Sequence, residues 1–492
     1  MAELTVWDGG KAQIFSVEIG ITAAEALRSV GLYRSQPCGG HGLCGKCRIV
    51  LSGEVSAPTA SERAAGFRLA CQTVLLGDAQ IVLDAERPLE QIELAEHYRP
   101  IQLSPMEGHF GAAIDIGTTT IVLQLYDLRS GRLLAQSASE NPQRSIAADV
   151  MGRIGAAMRG SGEVLREQVF FTLRRLLAQS CKSVGCSPSD VASAVITGNT
   201  TMLYLLTGRD PECLSHAPFC ADTLFDTETE ILERHCYLPP CMDAFVGADI
   251  TCAVLHSEMC MTEQTTLLCD IGTNGELALW KNGTLYVTST AAGPAFEGAG
   301  ISCGCGSVVG AIDRVWLENG ALRVHTIHGA PPVGVCGSGL LDAVAALLAL
   351  GEIDETGATD ADKLKITESI ALLPTDIRNV QLAKAAIAAG IATILEAAEV
   401  TPEEVGRVYI AGGFGNHLNI ASATTIGLLP SLWRDRVTPI GNAALSGAAR
   451  LLLERSQWEA ARDLAARAVH LNLGGDSVFS QYYMENILFP DA

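Results

Sequence analysis

The sequence lacks several patterns that mark common classes of protein. Its longest apolar run, residues 340–350, includes Asp342 and is too short to span a bilayer. Basic residues are scarce, with 34 Lys and Arg against 55 Asp and Glu, and the net charge of −21 argues against binding to nucleic acid or anionic membranes. A Gly-x4-Gly-Lys-Ser/Thr loop is absent, which excludes P-loop chemistry. The N-terminus shows neither the basic nor the apolar region of a signal peptide, so a cytoplasmic location is expected.

Cysteine, in contrast, is abundant, with 16 residues, and some of them form a pattern near the N-terminus. Three lie on one glycine-rich loop with the spacing C-x5-C-x2-C, and another follows after 23 residues. A [2Fe-2S] cluster needs four thiolates and small neighbours that let backbone N–H groups approach its sulfurs, and this spacing resembles that of adrenodoxin-like ferredoxins. The alternative, a structural zinc site, usually shows two C-x2-C pairs, whereas this segment has one. The predicted cluster ligands are Cys38, Cys44, Cys47 and Cys71.

The segments around these cysteines also fit a ferredoxin. Residues 4–6 and 14–17 predict a hairpin, and Thr22 with Glu25 predicts a capping box at the start of a short helix. The remaining cysteines are scattered in mostly apolar surroundings and are interpreted as reduced core thiols. For Cys303 and Cys305, a second metal or redox site is the alternative to incidental cysteines on a glycine-rich loop.

Two related segments farther along the chain predict a duplicated nucleotide-binding fold. Residues 112–120 read Ala-Ala-Ile-Asp-Ile-Gly-Thr-Thr-Thr, and residues 267–275 read Leu-Leu-Cys-Asp-Ile-Gly-Thr-Asn-Gly. Each combines an apolar strand, an Asp-x-Gly-Thr turn and a second strand, a β-hairpin whose backbone N–H groups can wrap a triphosphate. Asp115, at the end of its strand, can hold magnesium through water. The repetition predicts two lobes that close on one nucleotide.

Two further glycine-containing segments complete this pattern. A strand over residues 407–411 ends in Gly412-Gly413, which would let the backbone approach adenosine closely. It follows a long alanine-rich helix predicted over residues 379–398. Residues 337–339, Gly-Ser-Gly, open another helix at Leu340, whose N-terminus is expected to be a hinge or a phosphate contact. Together these motifs resemble the acetate and sugar kinase, heat-shock chaperone and actin superfamily.

A ferredoxin segment followed by such an ATPase resembles the reductive activators of corrinoid proteins. Shorter strings support the resemblance, including Asn-Pro-Gln at 141–143, Gly-Asn-Thr-Thr-Met at 198–202 and Gly-Ala-Asp at 247–249. The most specific is Ala-Ala-Gly-Pro-Ala-Phe-Glu-Gly at 291–298, followed by Gly-Ile-Ser-Cys-Gly at 300–304. Longer members carry a middle domain between ferredoxin and ATPase. Because only a short linker separates the two here, the chain is expected to be a short form that lacks the middle domain.

The resemblance implies an α/β multidomain fold. It consists of an N-terminal β-grasp [2Fe-2S] ferredoxin domain and two duplicated actin-like, ribonuclease H-like ATPase lobes. The expected ranges are 1–96 for the ferredoxin domain, 97–110 for a linker, 111–265 for the first lobe and 266–492 for the second.

The implied activity is ATP-dependent reduction of a Co(II) corrinoid to Co(I), with a [2Fe-2S] cluster, ATP and Mg²⁺ as cofactors. The implied partners are a corrinoid methyltransferase protein and an upstream electron donor, without nucleic acid or membrane, and a homodimer is one option. Asp115 and Asp270 would hold Mg-ATP, and Ser302 would meet the cobalt face. Asp249 or Glu276 would orient water. The nucleotide contacts would be Gly117, Thr118, Thr119, Gly272, Thr273, Asn274, Gly337, Ser338, Gly339, Gly412, Gly413 and Phe414.

Three other interpretations remain open from the sequence. The first is an ATP-dependent activator of another enzyme, such as a 2-hydroxyacyl-CoA dehydratase, although those activators hold a [4Fe-4S] cluster between two subunits. The second is a small-molecule kinase with a redox-sensing domain, for which neither a base nor a substrate pocket is identified. The third is a non-enzymatic electron-transfer module, which two intact phosphate hairpins disfavour.

Overall fold

An N-terminal sheet domain precedes two larger lobes, each built on a six-stranded sheet, in a computed structural model of the protein. The structure describes residues 1–8, 11–30, 32, 42, 47–59, 62–63, 67–83, 101–413 and 417–490. The predicted cluster ligands Cys38 and Cys44 and the predicted adenosine contact Phe414 lie outside these residues.

The N-terminal domain is a five-stranded sheet in the order β2-β1-β5-β3-β4, with one helix packed on it. Strands β1 and β5 are parallel and the other pairs antiparallel, as in a β-grasp fold. The predicted capping box is confirmed, since the Glu25 amide donates to Thr22 Oγ1 and the Thr22 amide donates to the Glu25 carboxylate. The elements are β1 (Ala2–Asp8), β2 (Lys11–Val17), α1 (Ala23–Ser29), β3 (Arg48–Val55), β4 (Arg68–Leu69) and β5 (Leu75–Leu83).

The first lobe has a sheet in the order β10-β11-β9-β6-β7-β8. Its first hairpin, β6–β7, is the one predicted around Asp115, and β9 pairs with β6 in parallel. Its strands are β6 (Phe110–Ile116), β7 (Thr120–Asp127), β8 (Arg132–Glu140), β9 (Val191–Gly198), β10 (Thr227–Ile231) and β11 (Arg234–Leu238). Its helices are α2 (Val150–Ala156), α3 (Gly162–Val184), α4 (Thr200–Thr207) and α5 (Ala248–Ser257).

The second lobe has a sheet in the order β21-β20-β12-β13-β14-β22, with smaller sheets β16-β15-β17 and β18-β19 beside it. Its strands are β12 (Thr266–Ile271), β13 (Gly275–Lys281), β14 (Thr284–Thr290), β15 (Ala311–Glu318), β16 (Ala321–Thr326), β17 (Gly334–Val335), β18 (Leu364–Lys365), β19 (Ala371–Leu372), β20 (Arg407–Ala411), β21 (Val437–Pro439) and β22 (Val469–His470). The helices are α6 (Gly337–Leu350), α7 (Pro374–Ala397), α8 (Ile420–Thr425), α9 (Ala443–Leu453), α10 (Gln457–Arg467) and α11 (Ser477–Glu485).

The two large sheets repeat one arrangement, which confirms the predicted duplication. In each, three consecutive antiparallel strands are followed across the sheet by a parallel strand, β9 beside β6 and β20 beside β12. Such parallel pairing needs a crossover connection, and α3 and α7 lie in these connections. Because strands β6 and β12 correspond, Asp115 and Asp270 occupy equivalent places in the two lobes.

Helices α5 and α9 connect the two lobes by packing on opposite sheets. Residues of α5, such as Val254, pack with β12 and β13 of the second lobe, whereas Leu445 and Ala448 of α9 pack with β6 and β9 of the first. The helices meet at Gly447, where a Cβ atom would lie 2.0 Å from the carbonyl oxygen of Cys252. Only glycine therefore allows the two backbones to touch at this crossing.

Helix α7 is the long alanine-rich helix expected from the sequence, although it begins earlier, at Pro374. Of the described helices it is the one long and apolar enough to cross a membrane, and 72% of its most apolar window is buried inside the protein. Burial against β13 and β14 accounts for its apolar composition, because Gly390 lies against the Thr290 and Leu277 side chains.

Candidate functional site

The two predicted phosphate turns face each other across the cleft between the lobes. In the first, the Gly117 amide donates to the Thr120 carbonyl at 3.0 Å, and in the second the Gly272 amide donates to the Asn274 carbonyl at 3.0 Å. The hydroxyl oxygens of Thr119 and Thr273, one from each turn, are only 3.3 Å apart. The structure thus brings together two segments that are distant in the chain, as a nucleotide clamped from both sides requires.

Four carboxyl groups lie at the base of these turns, of which Glu276 is buried and the other three are half-buried. Burial raises the pKa of Asp115 to about 6, although the hydrogen bond from Asn442 opposes the rise. Burial together with nearby negative charges raises the pKa of Asp270 to about 7 and of Asp249 to about 8. Burial and the charges of Asp249 and Asp270 also raise the pKa of Glu276 well above its usual value. Glu276 pairs directly opposite Asp270 in the β12–β13 ladder, and Asp249 lies in the first turn of α5. All four predicted carboxylates therefore share one site.

This carboxylate set fits a magnesium ion bound together with a nucleotide. Buried carboxylates that repel one another are stabilised in their charged form by a divalent cation, and Mg²⁺ keeps much of its water and prefers oxygen ligands. Within the described part of the chain, no three His, Cys, Asp or Glu side chains are arranged to chelate a metal by themselves. The arrangement therefore suits an ion held through water and phosphate oxygens. Asn442, at the N-cap of α9, orients Asp115 by donating to its Oδ2 at 2.9 Å.

Three side chains hold the first phosphate turn from behind. Arg153, fully buried, donates through Nη2 to the Thr118 carbonyl at 2.5 Å, and burial lowers its pKa to about 9. Asn199 donates to Thr118 Oγ1 at 3.1 Å, and Asn141 donates to the Gly117 carbonyl at 2.8 Å. Asn141 and Asn199 belong to the short strings noted in the sequence, which could have pointed to them, but neither they nor Arg153 were predicted to support the site.

Glu297 is a further residue of the site that the sequence patterns do not predict. It ends the short 3₁₀ turn Pro294–Glu297 and its carboxylate accepts hydrogen bonds from both Thr119 Oγ1 and Thr273 Oγ1. The string at 291–298 was recognised as specific, yet no role was given to its one acidic residue.

The strand predicted to contact adenosine, β20, ends at the edge of the carboxylate cluster. Gly412, directly after β20, has φ +91°, and a Cβ atom there would lie 2.6 Å from Asp270 Oδ1. Among the described residues, none has an atom within 4 Å of the place that a Cβ atom of Gly413 would occupy. By contrast, Gly339 is explained by packing, since its Cβ atom would lie 2.2 Å from the Ile312 carbonyl oxygen. A phosphate contact at Gly337, Ser338 and Gly339, which are all buried in α6, stays a prediction.

Ser302, predicted to meet the cobalt face, is exposed but tightly held. Its hydroxyl donates to Asp376 Oδ2 at 2.5 Å and its amide donates to Asp376 Oδ1 at 2.8 Å. Asp376 itself is buried in the first turn of α7. The contact fixes the direction in which the Ser302 oxygen points.

The N-terminal domain contains two of the predicted cluster ligands side by side. The Sγ atoms of Cys47 and Cys71 are 3.3 Å apart, and the two thiols are not joined in a disulfide. A hydrogen bond from Cys47 lowers the pKa of Cys71 to about 6, which favours the thiolate that iron binds. Two adjacent thiol groups, one of them readily ionised, fit an iron–sulfur cluster.

Fold and site together define an iron–sulfur protein joined to a two-lobed ATPase of the actin-like class. Models of known families match three consecutive parts of the chain. The 2Fe-2S iron-sulfur cluster binding domain matches residues 7–76, the RACo middle region matches 110–262, and the C-terminal domain of RACo, the ASKHA domain, matches 264–492.

Relatives of known activity narrow the class to one family. The chain is 33% identical to the corrinoid activation enzyme RamQ of Eubacterium limosum, over 84% of this chain and 74% of that protein. It is 25% identical to the [Co(II) methylated amine-specific corrinoid protein] reductase of Methanosarcina barkeri, over 76% of each. A solved structure of a reductive activator for a corrinoid, iron-sulfur protein superposes with a TM-score of 0.73 at 29% identity, covering 99% of this chain and 98% of that one. The chain belongs to this family of corrinoid-activating enzymes, whose cofactors are a [2Fe-2S] cluster, ATP and Mg²⁺.

One expectation about the family is wrong. The chain was expected to lack the middle domain, yet the RACo middle region matches residues 110–262, which form β6 to α5. A short linker between the ferredoxin segment and the first hairpin does not indicate that the middle region is absent, because the region is not inserted there. The middle region instead contains that hairpin and forms one wall of the nucleotide cleft.

Proposed function

We propose that this protein uses ATP hydrolysis to drive the transfer of one electron from its ferredoxin domain to the Co(II) corrinoid of a partner protein, which becomes Co(I). The observation that carries the proposal is the pair of facing phosphate turns above a cluster of carboxylates, in a chain that also contains a ferredoxin domain. The activities of the relatives, corrinoid activation and Co(II) corrinoid protein reduction, support the same reaction.

Energy input is needed because Co(I) corrinoids are reached at lower potentials than an ordinary ferredoxin supplies. Each 100 mV of uphill transfer costs ~2.3 kcal/mol per electron. A nucleotide that binds one conformation of the two lobes more tightly than another can drive a change of conformation, but only by its difference in affinity. Closure of the lobes on ATP, binding of the corrinoid partner, and release after hydrolysis would couple the two reactions.

In the ATPase part, each lobe contributes one wall of the site. Gly117, Thr118 and Thr119 would bind the phosphates from one side, and the second turn, Gly272–Asn274, from the other. Asp115 and Asp270, which sit at equivalent places in the two lobes, would orient the water ligands of Mg²⁺. Asp249 and Glu276 are the proposed water-orienting groups. A bound cation would keep them charged, because it opposes the mutual repulsion that raises their pKa values.

In the ferredoxin part, the cysteines would hold the [2Fe-2S] cluster, which supplies a single electron. The N-terminal domain touches the first lobe through Arg28, whose Nη2 donates to the Ser145 carbonyl at 3.2 Å. Ser145 lies in the 3₁₀ turn Pro142–Ser145, and Gln143 of the same turn accepts a hydrogen bond from Arg153 behind the phosphate turn. The ferredoxin domain thus contacts the segment that supports the nucleotide site.

Ser302→Ala is expected to slow Co(II) reduction at saturating partner by about 10-fold or more while ATP binding is unchanged. Ser302 is exposed, and the hydrogen bond that its hydroxyl donates to the Asp376 carboxylate increases the electron density on its oxygen, which suits that oxygen to approach cobalt. Asp376→Asn should weaken this effect and so lower the rate less than Ser302→Ala. An unchanged rate in Ser302→Ala, measured as the initial rate of Co(I) formation, would contradict a role for this oxygen.

The proposal as a whole is tested by anaerobic absorption spectroscopy. A purified corrinoid protein from the same genome, in its Co(II) state, is mixed with this protein and a reductant, and ATP is then added. We expect the Co(I) band to appear only with ATP. Appearance without ATP would contradict energy coupling, and its absence with every corrinoid protein of the genome, despite ATP hydrolysis and an intact cluster, would contradict the proposed client.

The same proposal implies an electron donor and a location for the protein. We infer that a reduced low-potential carrier is the upstream donor, since the cluster must be reduced again after each electron transfer. We also infer a cytoplasmic location, where the corrinoid partners would be. The homodimer stays a prediction, which light scattering on the purified protein tests.

A further inference from the structure

The Glu297 carboxylate lies between the two phosphate turns and binds both. Thr119 Oγ1 donates to Glu297 Oε2, and Thr273 Oγ1 lies 3.0 Å from both carboxylate oxygens. Thr119 belongs to the first lobe, whereas Thr273 and Glu297 belong to the second. One carboxylate of the chain therefore links the lobes through the hydroxyl groups that a nucleotide phosphate would use.

The surroundings of Glu297 are those of an anion site. Arg153 lies directly behind the first turn, where it donates to the Thr118 carbonyl, to Gln143 and to the Ala147 carbonyl, all of them neutral acceptors. The negative charge of Glu297 raises the pKa of Arg153 and so favours its charged form, although burial lowers this pKa more strongly. A carboxylate and a terminal phosphate both present negatively charged oxygens to hydroxyl donors, so one can replace the other at the two threonines.

We propose that Glu297 is an internal substitute for the terminal phosphate of ATP: it joins the two turns when no nucleotide is bound and is displaced when Mg-ATP binds. This inference rests on the proposed nucleotide site but not on the corrinoid client. A phosphate that enters between Thr119 and Thr273 takes both hydroxyl donors, and its charge repels the carboxylate at the same place.

Displacement of Glu297 would change the conformation of the loop that contains Ser302. Gly298 follows Glu297 directly, and a Cβ atom on it would lie 2.5 Å from the Cys305 carbonyl oxygen. The backbone at 298 is thus in contact with the backbone just beyond Ser302. Cys305 in turn donates its amide to Val335, which fixes the far end of the loop. Movement at Glu297 therefore changes the conformation of the loop. The loop is held at two places, where Ser302 is hydrogen-bonded to Asp376 and where the Cys305 amide is hydrogen-bonded to Val335.

The first test compares nucleotide affinities of Glu297→Ala, Glu297→Gln and the native protein by isothermal titration calorimetry. The probes are the Mg²⁺ complexes of the β,γ-imido analogue of ATP, of ADP and of AMP. If Glu297 blocks the site in about 90% of nucleotide-free molecules, its removal improves affinity about 10-fold. We expect this gain for the ATP analogue, a smaller gain for ADP and none for AMP. Glu368→Gln, which removes an exposed charge of the same lobe, should change none of the three.

A gain that depends on the number of phosphates is the result that a merely structural role would not produce. Equal shifts for all three nucleotides, or weaker binding of the ATP analogue in both Glu297 variants, would overturn the inference and assign Glu297 to water or metal binding. If the native protein bound no nucleotide at all, the proposed ATP site would fail first and this inference with it.

Hydrogen exchange of the loop amides provides the second test, which needs no corrinoid protein. In the native protein, exchange over residues 298–305 should accelerate on addition of the ATP analogue. In Glu297→Ala it should be fast before nucleotide is added and change little afterwards. Equal exchange in the nucleotide-free variant and native protein would overturn the link between Glu297 and the loop.

Discussion

Asp270→Asn is expected to lower Mg²⁺-dependent ATP hydrolysis by roughly 10²- to 10³-fold, the usual effect of removing one preorganised electrostatic group from an active site. Asp270 is the penultimate residue of β12, which leads into the second phosphate turn, and it lies against Gly412 directly after β20. An amide of the same size keeps the packing but removes a negative charge that would hold Mg²⁺. Steady-state phosphate release with saturating Mg-ATP measures the change.

The same substitution should stabilise the nucleotide-free protein in a pH-dependent manner. Burial raises the pKa of Asp270 to about 7, above its value of 3.8 in an unfolded chain, so the folded state binds this proton more tightly. Native stability from this group is therefore greatest below about pH 4 and falls as pH rises toward 7. Asp270→Asn lacks this fall and should have the higher thermal midpoint at pH 8, and the difference should shrink as the pH is lowered toward 4.

Asp362→Asn, which alters an exposed carboxylate of the same lobe, is the matched control and should leave hydrolysis and the thermal midpoint unchanged. If Asp270→Asn hydrolysed ATP at the native rate, Asp270 would not be part of the magnesium site. A lower midpoint at pH 8 would show that the carboxylate contributes more through packing or hydrogen bonding than it costs through repulsion.

Cys71→Ser is expected to abolish Co(II) reduction, by at least about 100-fold, while leaving ATP binding intact. Cys71 is 8% exposed in the core of the N-terminal domain, beside Cys47. Loss of one thiolate ligand should remove the visible absorption of the cluster and lower the bound iron. The nucleotide site is built from other parts of the chain, so calorimetry with the ATP analogue should give native affinity.

Cys220→Ser provides the control for this experiment, because Cys220 is exposed and belongs to the first lobe. It should retain both iron and Co(II) reduction. Should Cys71→Ser keep the iron content and spectrum of the native protein, Cys71 would not be a cluster ligand. A tightly bound zinc ion in its place would favour the structural zinc site that the cysteine spacing left as the alternative.

Much of the architecture could be predicted because its signals are local. An apolar strand, a glycine turn and a second apolar strand lie within a few residues at Asp115 and again at Asp270, and both hairpins are found. The capping box of Thr22 and Glu25 likewise depends on residues three apart. Each such element is specified by neighbouring residues, so its sequence pattern is sufficient.

The supporting residues of the site could not be predicted in the same way. Asn442 contacts Asp115 across 327 positions of the chain, and Glu297 contacts Thr119 across 178. Arg153 donates to a backbone carbonyl, a contact that leaves no constraint on the type of its partner. Such contacts depend on how the lobes pack, which short patterns do not encode. The middle region is not predicted for a related reason: it contains the first hairpin, so the length of the linker carries no signal of its presence.

The crossing of α5 and α9 at Gly447 determines how the cleft can open. Because the backbones touch there, with a Cβ atom excluded by the Cys252 carbonyl, the crossing can act as a pivot but cannot slide apart without losing its contact. The N-terminal end of each helix reaches the carboxylate cluster, α5 at Asp249 and α9 at Asn442. On the side of the nucleotide cleft, only a short stretch of each helix therefore lies between the crossing and the carboxylate cluster. A small rotation about the crossing would move the carboxylate cluster little and the outer edges of the lobes much more. The surfaces at these edges could therefore become accessible or inaccessible to a partner while the magnesium site stays nearly unchanged.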